Sequence, residues 1–284
     1  MLNVDLKSFT KNHKKKINQV IYYSTKTNGL NEIDNLINNF LNEKNSFVFE
    51  SVEKGVIKGR YTIFGSNPDK IWEFNNNNCF VYKNNKKKKI KGNPKKTIEN
   101  IIENFKFKIS SDLPPISSIL SGYFSYDIIR YVEKIPNTCK DDLKIPDVRI
   151  LRPKTLIIHD NLLKKIFYIE NCFADEKILN YKKKYDKINE NIINLIFLSN
   201  FSLNRIETNN NNNDNNIKSN ISKKKFLDNV KKAKKYIKKG DIFQVVLSQR
   251  FQTKLTKKPI EIYKKLRINN PSPFMYFFNF DDFQ

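Results

Sequence analysis

The segment 269–278 carries the residue types in this chain that are best suited to hold a small molecule. Its sequence, NNPSPFMYFF, places two prolines shortly before Met275 and a run of aromatic residues. Each proline fixes its own φ angle and favours an extended conformation in the preceding residue, so a turn followed by a strand is predicted. A thioether beside aromatic rings suits a pocket for a flat apolar ligand, although a buried strand after a turn explains the same residues.

Other kinds of chemistry have few candidate residues. The two histidines are His13, in a lysine-rich stretch, and His159, at the end of a predicted strand, which gives little basis for a catalytic triad. The seven glycines are dispersed and form no G-x-G-x-x-G or Walker loop. The aspartates at 127, 141–142 and 281–282 fit turns or the surface, and no acidic pair at helical spacing indicates a metal site. The residues therefore indicate no catalytic group and no metal ligand.

The composition indicates a globular protein. Its 284 residues suffice for one large or two ordinary domains, and hydrophobic and aromatic shares of 39% and 13% are compatible with a core. No apolar run approaches the roughly 18–20 residues of a membrane-spanning helix, and residues 1–5 do not begin a secretory signal. Three widely spaced cysteines, at 79, 139 and 172, favour free thiols over disulfides or zinc. We therefore expect a cytoplasmic protein without a membrane partner.

The net charge of +24 raises the possibility of a nucleic-acid partner. The lysine clusters, however, are scattered among separate elements, lack interleaved aromatic residues and lie beside asparagine-rich loops; they are found at 14–16, 86–89, 182–184 and 223–225. Charge by itself bears on solubility and non-specific binding. We therefore expect no nucleic-acid partner, and a basic nucleic-acid binder is the most distant alternative.

Hydrophobic periodicity predicts helices and strands in mixed order without a βα repeat, which favours an α+β fold. The predicted helices span 30–41 and 178–195, start at Asn93-Pro94 and at Pro259, and run from a Ser222 cap to Gly240. The predicted strands are 46–50, 61–65, 79–83, 155–159, 165–170 and 242–251, and lysines 86–89 form a predicted turn. Residues 208–220 are nearly all asparagine and predict a flexible linker.

The two C-terminal helices and the strand between them have predicted faces. The helix after Ser222 should bury the stripe Phe226, Val230, Ala233 and Ile237. The helix from Pro259 should turn Ile262, Tyr263 and Leu266 inward. In the strand 242–251, alternation places Gln244, Ser248 and Arg250 on one face, where they meet either a substrate or, as we prefer, a neighbouring strand.

Four segments resemble the component I family of anthranilate synthases, which belongs to the chorismate-utilising enzymes. FVFESVE at 47–53 followed by KGRYTIFGSNP at 58–68 is similar to the family's leucine-leucine-glutamate-serine region. GYFSYDIIRYVE at 122–133 is similar to the pattern GYxxYDxxRxxE. GDIFQVVLSQRF at 240–251 resembles the family segment of the same letters, and NPSPFM at 270–275 resembles NPSPYM with Phe274 in place of tyrosine. Order and spacing agree from about residue 20 to 284.

The resemblance implies an architecture and a reaction. It implies the two-layer sandwich of chorismate-utilising enzymes, with mixed and antiparallel β-sheets packed with helices, here truncated. Residues 1–205 correspond to the N-terminal regulatory region, 206–221 to an asparagine-rich linker and 222–284 to the start of the chorismate-binding catalytic domain. The implied activity is that of a lyase of tryptophan biosynthesis, which uses Mg²⁺ to convert chorismate and ammonia to anthranilate and pyruvate. Ammonia comes from a glutamine amidotransferase subunit, component II.

The family's magnesium-binding glutamates and chorismate-binding residues lie in its C-terminal half, beyond Gln284. We therefore expect no catalytic residue and no metal ligand in this chain, and we expect these 284 residues alone to be inactive.

The resemblance also implies an inhibitory site for L-tryptophan, formed where the Glu-Ser element meets the Pro-Tyr-Met turn. It maps onto Ser51, Pro273, Phe274 and Met275, with Glu50 as a possible neighbour. A serine hydroxyl suits the amino-acid head group, a glutamate suits its ammonium, and Phe274 and Met275 suit an indole. The prediction requires two segments far apart in sequence to form one cleft.

Two further functions remain open at this point. Aminodeoxychorismate synthase component I has the same fold, substrate and type of partner but makes a para-amino product. A non-catalytic remnant that binds tryptophan or docks a subunit would also carry these segments.

Overall fold

The computed structural model describes residues 2–27, 29–53, 56–57, 59–84, 86–138, 140–201 and 217–284. The chain forms two compact units, one comprising Met1–Asn204 with Tyr263–Gln284 and the other Arg205–Ile262. Most of the predicted linker 206–221, together with Cys139, lies outside the described residues. The predicted division at residue 222 stays a prediction, and residues 263–284 pack with the first unit.

The helices follow the local signals of the sequence. They are α1 (Leu6–Lys14), α2 (Leu30–Asn39), α3 (Pro94–Glu103), α4 (Tyr181–Asn200), α5 (Lys223–Lys239) and α6 (Pro259–Asn269), with a short 3-10 helix at Tyr126–Tyr131. Asn93 and Ser222 cap α3 and α5 by accepting hydrogen bonds from the backbone N–H groups of Lys96 and Lys225. Gly240 ends α5 with a φ of 78°, the left-handed conformation that glycine adopts without strain. These caps confirm the predicted start of α3 and both ends of α5, whereas the helices predicted at 30–41 and 178–195 span Leu30–Asn39 and Tyr181–Asn200.

The strands are β1 (Gln19–Lys26), β2 (Ser46–Glu50), β3 (Val52–Glu53), β4 (Val56–Ile57), β5 (Tyr61–Asn75), β6 (Asn78–Lys83), β7 (Lys86–Ile90), β8 (Ser121–Phe124), β9 (Val148–Asp160), β10 (Lys165–Cys172), β11 (Lys218–Ser219), β12 (Phe251–Gln252) and β13 (Met275–Asn279). Nine of them form one antiparallel sheet in the first unit, in the order β1-β10-β9-β5-β2-β13, with β6 paired to β5, β7 paired to β6, and β8 paired to β9. The α+β prediction is confirmed, as is the hairpin of β9 and β10.

Both faces of this sheet are covered. On one face, Phe40, the residue directly after α2, contacts Phe64 of β5, and the Tyr168 hydroxyl of β10 bonds Ser199 of α4 at 2.6 Å. On the opposite face, irregular chain around 109–119 packs on a core that includes Phe47 and Phe167. A separate core beneath α3 contains Trp72. The long strands β5 and β9 therefore hold helices on one side and a crossing loop on the other.

Two strand predictions are wrong. Residues 86–90 form β7 rather than a turn, because Lys86 pairs with Lys83 of β6. The lysines of β7 are exposed, and charged residues of this kind are tolerated in a strand at the edge of a sheet. Of the predicted strand 242–251, only Phe251 is in a strand, in β12, which pairs with β11. A strand requires a continuous ladder of hydrogen bonds to a neighbour, and the ladder between β11 and β12 reaches only Phe251 and Gln252. Gln244, Ser248 and Arg250 are all exposed.

The predicted buried faces of the last two helices are also wrong in part. No residue of α5 is buried, and Ile237 is 45% exposed. In α6, Tyr263 is buried as predicted, whereas Ile262 and Leu266 are 39% and 47% exposed. Periodicity identifies an amphipathic helix, but burial depends on what the fold brings against it.

Candidate functional site

Strand pairing brings the two segments of the predicted tryptophan site together. Strand β13 pairs antiparallel with β2, so that Met275 lies opposite Glu50. Beyond this pair, after the end of β2, the backbone N–H of Val52 donates to the carbonyl oxygen of Ser272 at 2.9 Å. Ser51 therefore lies between two contacts that join the strands, directly beside the turn that contains Pro273.

The four side chains of the predicted site do not all share one face. Residues opposite each other in an antiparallel pair project to the same side, so Met275 shares the face of Glu50. Consecutive residues of an extended chain project to opposite sides, which separates Ser51 from that face. Ser51 and Met275 are half-buried, whereas Pro273 is exposed and Phe274 is 86% exposed. The backbones of β2 and β13 are therefore paired, but the side chains of the predicted site project to both faces of the sheet.

Gly59 explains how Ser51 fits beside the sheet. A methyl group added to Gly59 would approach the Ser51 Cβ to 2.4 Å, well inside van der Waals contact. Glycine at this position therefore allows the chain leading into β5 to pass directly against Ser51. This contact makes Ser51 a packed residue with a defined position, and larger side chains at residue 51 must displace the 59–60 segment or the β13 turn.

Glu50 has a different role from the one predicted. Its side chain is completely buried, and its two oxygens accept hydrogen bonds from the Tyr263 hydroxyl and, at 3.0 Å, from Nε of Arg267. Arg267 Nη1 also bonds Asp34 at 2.7 Å. A buried carboxylate must be paired within the protein, so this one is not available to a ligand ammonium. Glu50 instead ties β2 to α6.

The pKa shifts agree with a tightly paired cluster. Burial, followed by the neighbouring Glu50 carboxylate, raises the pKa of Tyr263. Burial alone would lower the pKa of Arg267, but Glu50 and Asp34 outweigh it and the pKa is raised. Sequence reasoning missed both partners of Glu50. The available signal was the four-residue spacing of Tyr263 and Arg267, which puts a hydroxyl and a guanidinium on one face of α6.

A second polar cluster surrounds His159, which is buried at the end of β9. Its Nε2 lies 2.7 Å from the Thr27 hydroxyl, and that hydroxyl lies 2.5 Å from Glu32 Oε2. The carboxylate contacts the hydroxyl rather than the imidazole, so the order of a catalytic triad is not present. This agrees with the expectation that His159 packs or caps. The cluster links the end of β1, the start of α2 and β9.

The burial of His159 predicts a pH-dependent stability. Desolvation lowers the pKa of His159 below the usual value of about 6.5. Below pH 6.5 the unfolded chain therefore binds a proton that the folded chain does not, and stability falls with pH by up to about 1.4 kcal/mol per unit. Urea unfolding from pH 8 to pH 5 should show this slope in the wild-type chain and a shallower slope in His159→Gln. Equal slopes for the wild-type chain and His159→Gln would contradict the prediction.

The described part of the chain offers no metal site. Among its residues, no group of three or more His, Cys, Asp or Glu side chains is arranged to hold a metal ion. Of the cysteines, Cys79 and Cys172 are buried and free, and burial raises the pKa of Cys172 to about 12. The residues present thus do not fit the magnesium ion that the resemblance implies. No helix within the described ranges combines the length and apolar character needed to span a membrane.

Comparison with known proteins relates most of the chain to one enzyme family. The profile of the chorismate binding enzyme family matches residues 58–284. The chain belongs to this family. It is 34% identical over 251 residues to anthranilate synthase component 1 of Acetivibrio thermocellus, covering 84% of this chain and 49% of the relative. It is 34% identical over 254 residues to the same component of Aquifex aeolicus, with 85% and 49% covered.

A solved structure shows the same fold. The crystal structure of anthranilate synthase component I from Streptococcus pneumoniae TIGR4 superposes with a TM-score of 0.63 at 25% identity, covering 80% of this chain and 49% of that one. The chain spans about half the length of the curated relatives it matches. The resemblance and fold predicted from sequence are therefore confirmed, whereas the ligand-binding residues remain predictions.

Proposed function

We propose that this chain is part of an anthranilate synthase component I. The complete enzyme would convert chorismate and ammonia to anthranilate and pyruvate, with ammonia released from glutamine by a partner amidotransferase. The observation that carries this proposal is the family match over 58–284, together with relatives at 31–34% identity that bear this name. Because the chain spans half of those relatives, the activity belongs to the complete enzyme.

The product of the complete enzyme tests this proposal. With chorismate, ammonia and Mg²⁺, the expected product is anthranilate, which is detected by its fluorescence. A para-amino product would instead assign the chain to aminodeoxychorismate synthase component I. Tryptophan binding by the complete protein without any turnover would indicate a non-catalytic remnant.

We further propose that L-tryptophan inhibits the enzyme by binding where β2 meets β13, at Ser51, Pro273, Phe274 and Met275. The pairing of Met275 with Glu50 and the bond from Val52 to Ser272 support the proposal, since one ligand could contact both segments. The exposed Phe274 ring offers a surface on which an indole can stack. The half-buried Ser51 supplies a hydroxyl for the head group.

Inhibition at this junction does not require the ligand to block the substrate. A ligand that contacts both strands stabilises the arrangement in which they lie best for it. If the inactive arrangement binds tryptophan more tightly, the population shifts towards it by that difference in affinity. The loss of a tyrosine hydroxyl at Phe274 removes one possible hydrogen bond, so apolar contact supplies most of the affinity there.

The variant Ser51→Phe in the complete enzyme tests the tryptophan site. A phenyl ring at this position displaces the 59–60 segment or the β13 turn and replaces the hydroxyl proposed to bind the head group, so tryptophan inhibition should weaken at least about tenfold while ammonia-dependent turnover stays within about twofold. Inhibition constants and turnover are measured with ammonia, which removes the amidotransferase from the assay. The matched control is Ser8→Phe, at an exposed position on α1, which should leave inhibition unchanged. Full sensitivity in the Ser51 variant would rule out this site.

A further inference from the structure

A cavity lies apart from the junction of β2 and β13. It has a volume of about 420 Å³ and opens where residues 109–115 cross the ends of β5 and β9. It occupies the sheet face opposite α2 and α4, and its lining includes none of the predicted tryptophan-site residues. The volume falls within the range of small-molecule pockets.

The cavity has an apolar side. Tyr61, Phe167 and Leu163 supply it, together with Ile109 and Leu113 from the crossing segment. Phe167 and Leu113 are buried in the core of this face, so their positions are fixed by packing. The side chain of Leu163 remains 60% exposed at the mouth. An apolar group the size of a phenyl ring would remove these surfaces from water.

Arg60 supplies positioned N–H donors at one edge of the cavity. Its Nε and Nη2 donate to Asp160 Oδ2 at 3.2 and 3.0 Å, and its guanidinium lies 4.8 Å from the centre of the Tyr61 ring. Asp160 is held in turn by the backbone N–H groups of residues 162 and 163. A guanidinium has five N–H donors, and Asp160 takes two of them. The side chain is 48% exposed, so the outward donors can meet a carboxylate.

Asp112 supplies an acceptor at another edge. A turn closed by the N–H of Leu113 and the carbonyl of Ser110 holds it over the opening, and both Ile109 and Leu113 anchor that turn on the core. Its carboxylate is exposed, and its one hydrogen bond within the described residues is a 3.5 Å contact from the Ser110 hydroxyl. Arg60 keeps N–H groups beyond those that Asp160 accepts, so the lining offers a ligand both these donors and the carboxylate of Asp112.

We propose that this cavity binds a small zwitterion, an α-amino acid with an apolar side chain. Its ammonium pairs with Asp112, its carboxylate accepts from the outward N–H groups of Arg60, and its side chain lies on Tyr61 and Phe167. A simple anion would face the unpaired Asp112, and a simple amine would leave the Arg60 donors unused. The opposite charges at the rim therefore select a molecule that carries both.

Binding of L-phenylalanine to the 284-residue chain tests the proposal, with 2-phenylethylamine and 3-phenylpropanoate as analogues that each lack one charge. Isothermal titration should give saturable binding of phenylalanine at least about tenfold tighter than that of either analogue. Asp112→Asn should weaken phenylalanine and phenylethylamine about tenfold and leave phenylpropanoate unchanged. Asp141→Asn, an exposed acid outside the lining, is the matched control and should change none of them.

Two further variants distinguish this cavity from the proposed tryptophan site. Leu163→Trp, at an exposed position, should fill the apolar side and abolish binding of all three probes while the melting temperature is kept. Phe274→Ala, at an exposed position of the proposed tryptophan site and outside the lining of this cavity, should leave phenylalanine binding unchanged, so failure of the tryptophan site and failure of this cavity give different results. Absence of saturable phenylalanine binding, an equal effect of the Asp112 and Asp141 variants, or loss of binding in Phe274→Ala would each overturn the proposal.

Discussion

Replacement of Glu50 by alanine should lower the free energy of unfolding of the first unit by about 3–5 kcal/mol, because the Tyr263 hydroxyl and Arg267 Nε both lose the buried carboxylate that accepts from them, and Asp34 continues to pair only with Nη1 of the arginine. The Arg267 side chain is 17% exposed, and without Glu50 its Nε has no carboxylate. The Tyr263 hydroxyl, also buried, loses its acceptor. The change thus leaves two buried donors unsatisfied in addition to removing packing, which places it among the largest expected effects in this protein.

Fluorescence of Trp72, the single tryptophan, reports on this unit, since Trp72 lies in the core beneath α3. Urea unfolding monitored at this residue gives the free energies. Asp34→Asn is the matched control: Asp34 bonds the same arginine but its side chain is 49% exposed, so its loss should cost less than about 1 kcal/mol. Glu50→Gln, which keeps one acceptor, should fall between the two. A loss below about 1 kcal/mol for Glu50→Ala would show that Arg267 finds water instead.

The double variant Glu50→Ala with Arg267→Met measures the free energy of interaction between these two residues, apart from their contacts with other groups. If the penalty arises from the guanidinium of Arg267, whose Nε has lost its acceptor, removing that group as well should recover more than about 1 kcal/mol of the stability lost by Glu50→Ala alone. Additive losses in the two single variants would instead mean that the residues act independently. This cycle also tests the assignment of Glu50 as a residue that joins β2 to α6 rather than a ligand contact.

Replacement of Gly122 by alanine is expected to destabilise the first unit by about 3 kcal/mol, because the added methyl group meets backbone atoms that cannot move aside. A Cβ at this position would lie 1.9 Å from the carbonyl oxygen of Arg149 and 2.9 Å from the Cα of Ile150. Gly122 pairs with Ile150 in the ladder between β8 and β9, so relief of the clash requires the two strands to separate.

Ser121→Ala provides the control for Gly122→Ala within the same strand. Ser121 is buried and its hydroxyl has no partner among the described residues, so its removal should change the stability by less than about 1 kcal/mol. Urea unfolding of both variants, followed by Trp72 fluorescence, gives the comparison. If Gly122→Ala unfolds at the same urea concentration as Ser121→Ala, the close approach of β8 to β9 is not required for the fold.

The sequence motif contains Gly122, and the structure explains why a glycine is needed there. The resemblance singled out the segment 122–133 by its letters, without a physical reason for the glycine. The register of β8 on β9 supplies that reason, since only a residue without a side chain allows this approach. In the same motif, Arg130 bonds Asp127 and the carbonyl oxygens of residues 135 and 136, which holds the following loop.

The sequence alone predicted those structural features whose interacting residues lie close together along the chain. The cap at Asn93, the left-handed Gly240 and the hairpin of β9 and β10 depend on neighbours within a few residues, and all were predicted. The family and the α+β class followed from segments that keep their order and spacing over most of the chain. Such signals survive because backbone geometry and hydrophobic periodicity act over short distances.

Features that depend on residues far apart in the sequence could be determined only from the tertiary structure. Glu50 looked available to a ligand until a tyrosine 213 residues away was found to hold its carboxylate. The apolar stretch 242–250 fits a strand, yet a strand forms only where another supplies hydrogen bonds. The cavity between Arg60 and Asp112 exists because a loop crosses the end of the sheet. Sequence fixes the chemical character of a side chain, whereas the fold determines which groups it meets and therefore whether its charge is paired, buried or free to bind.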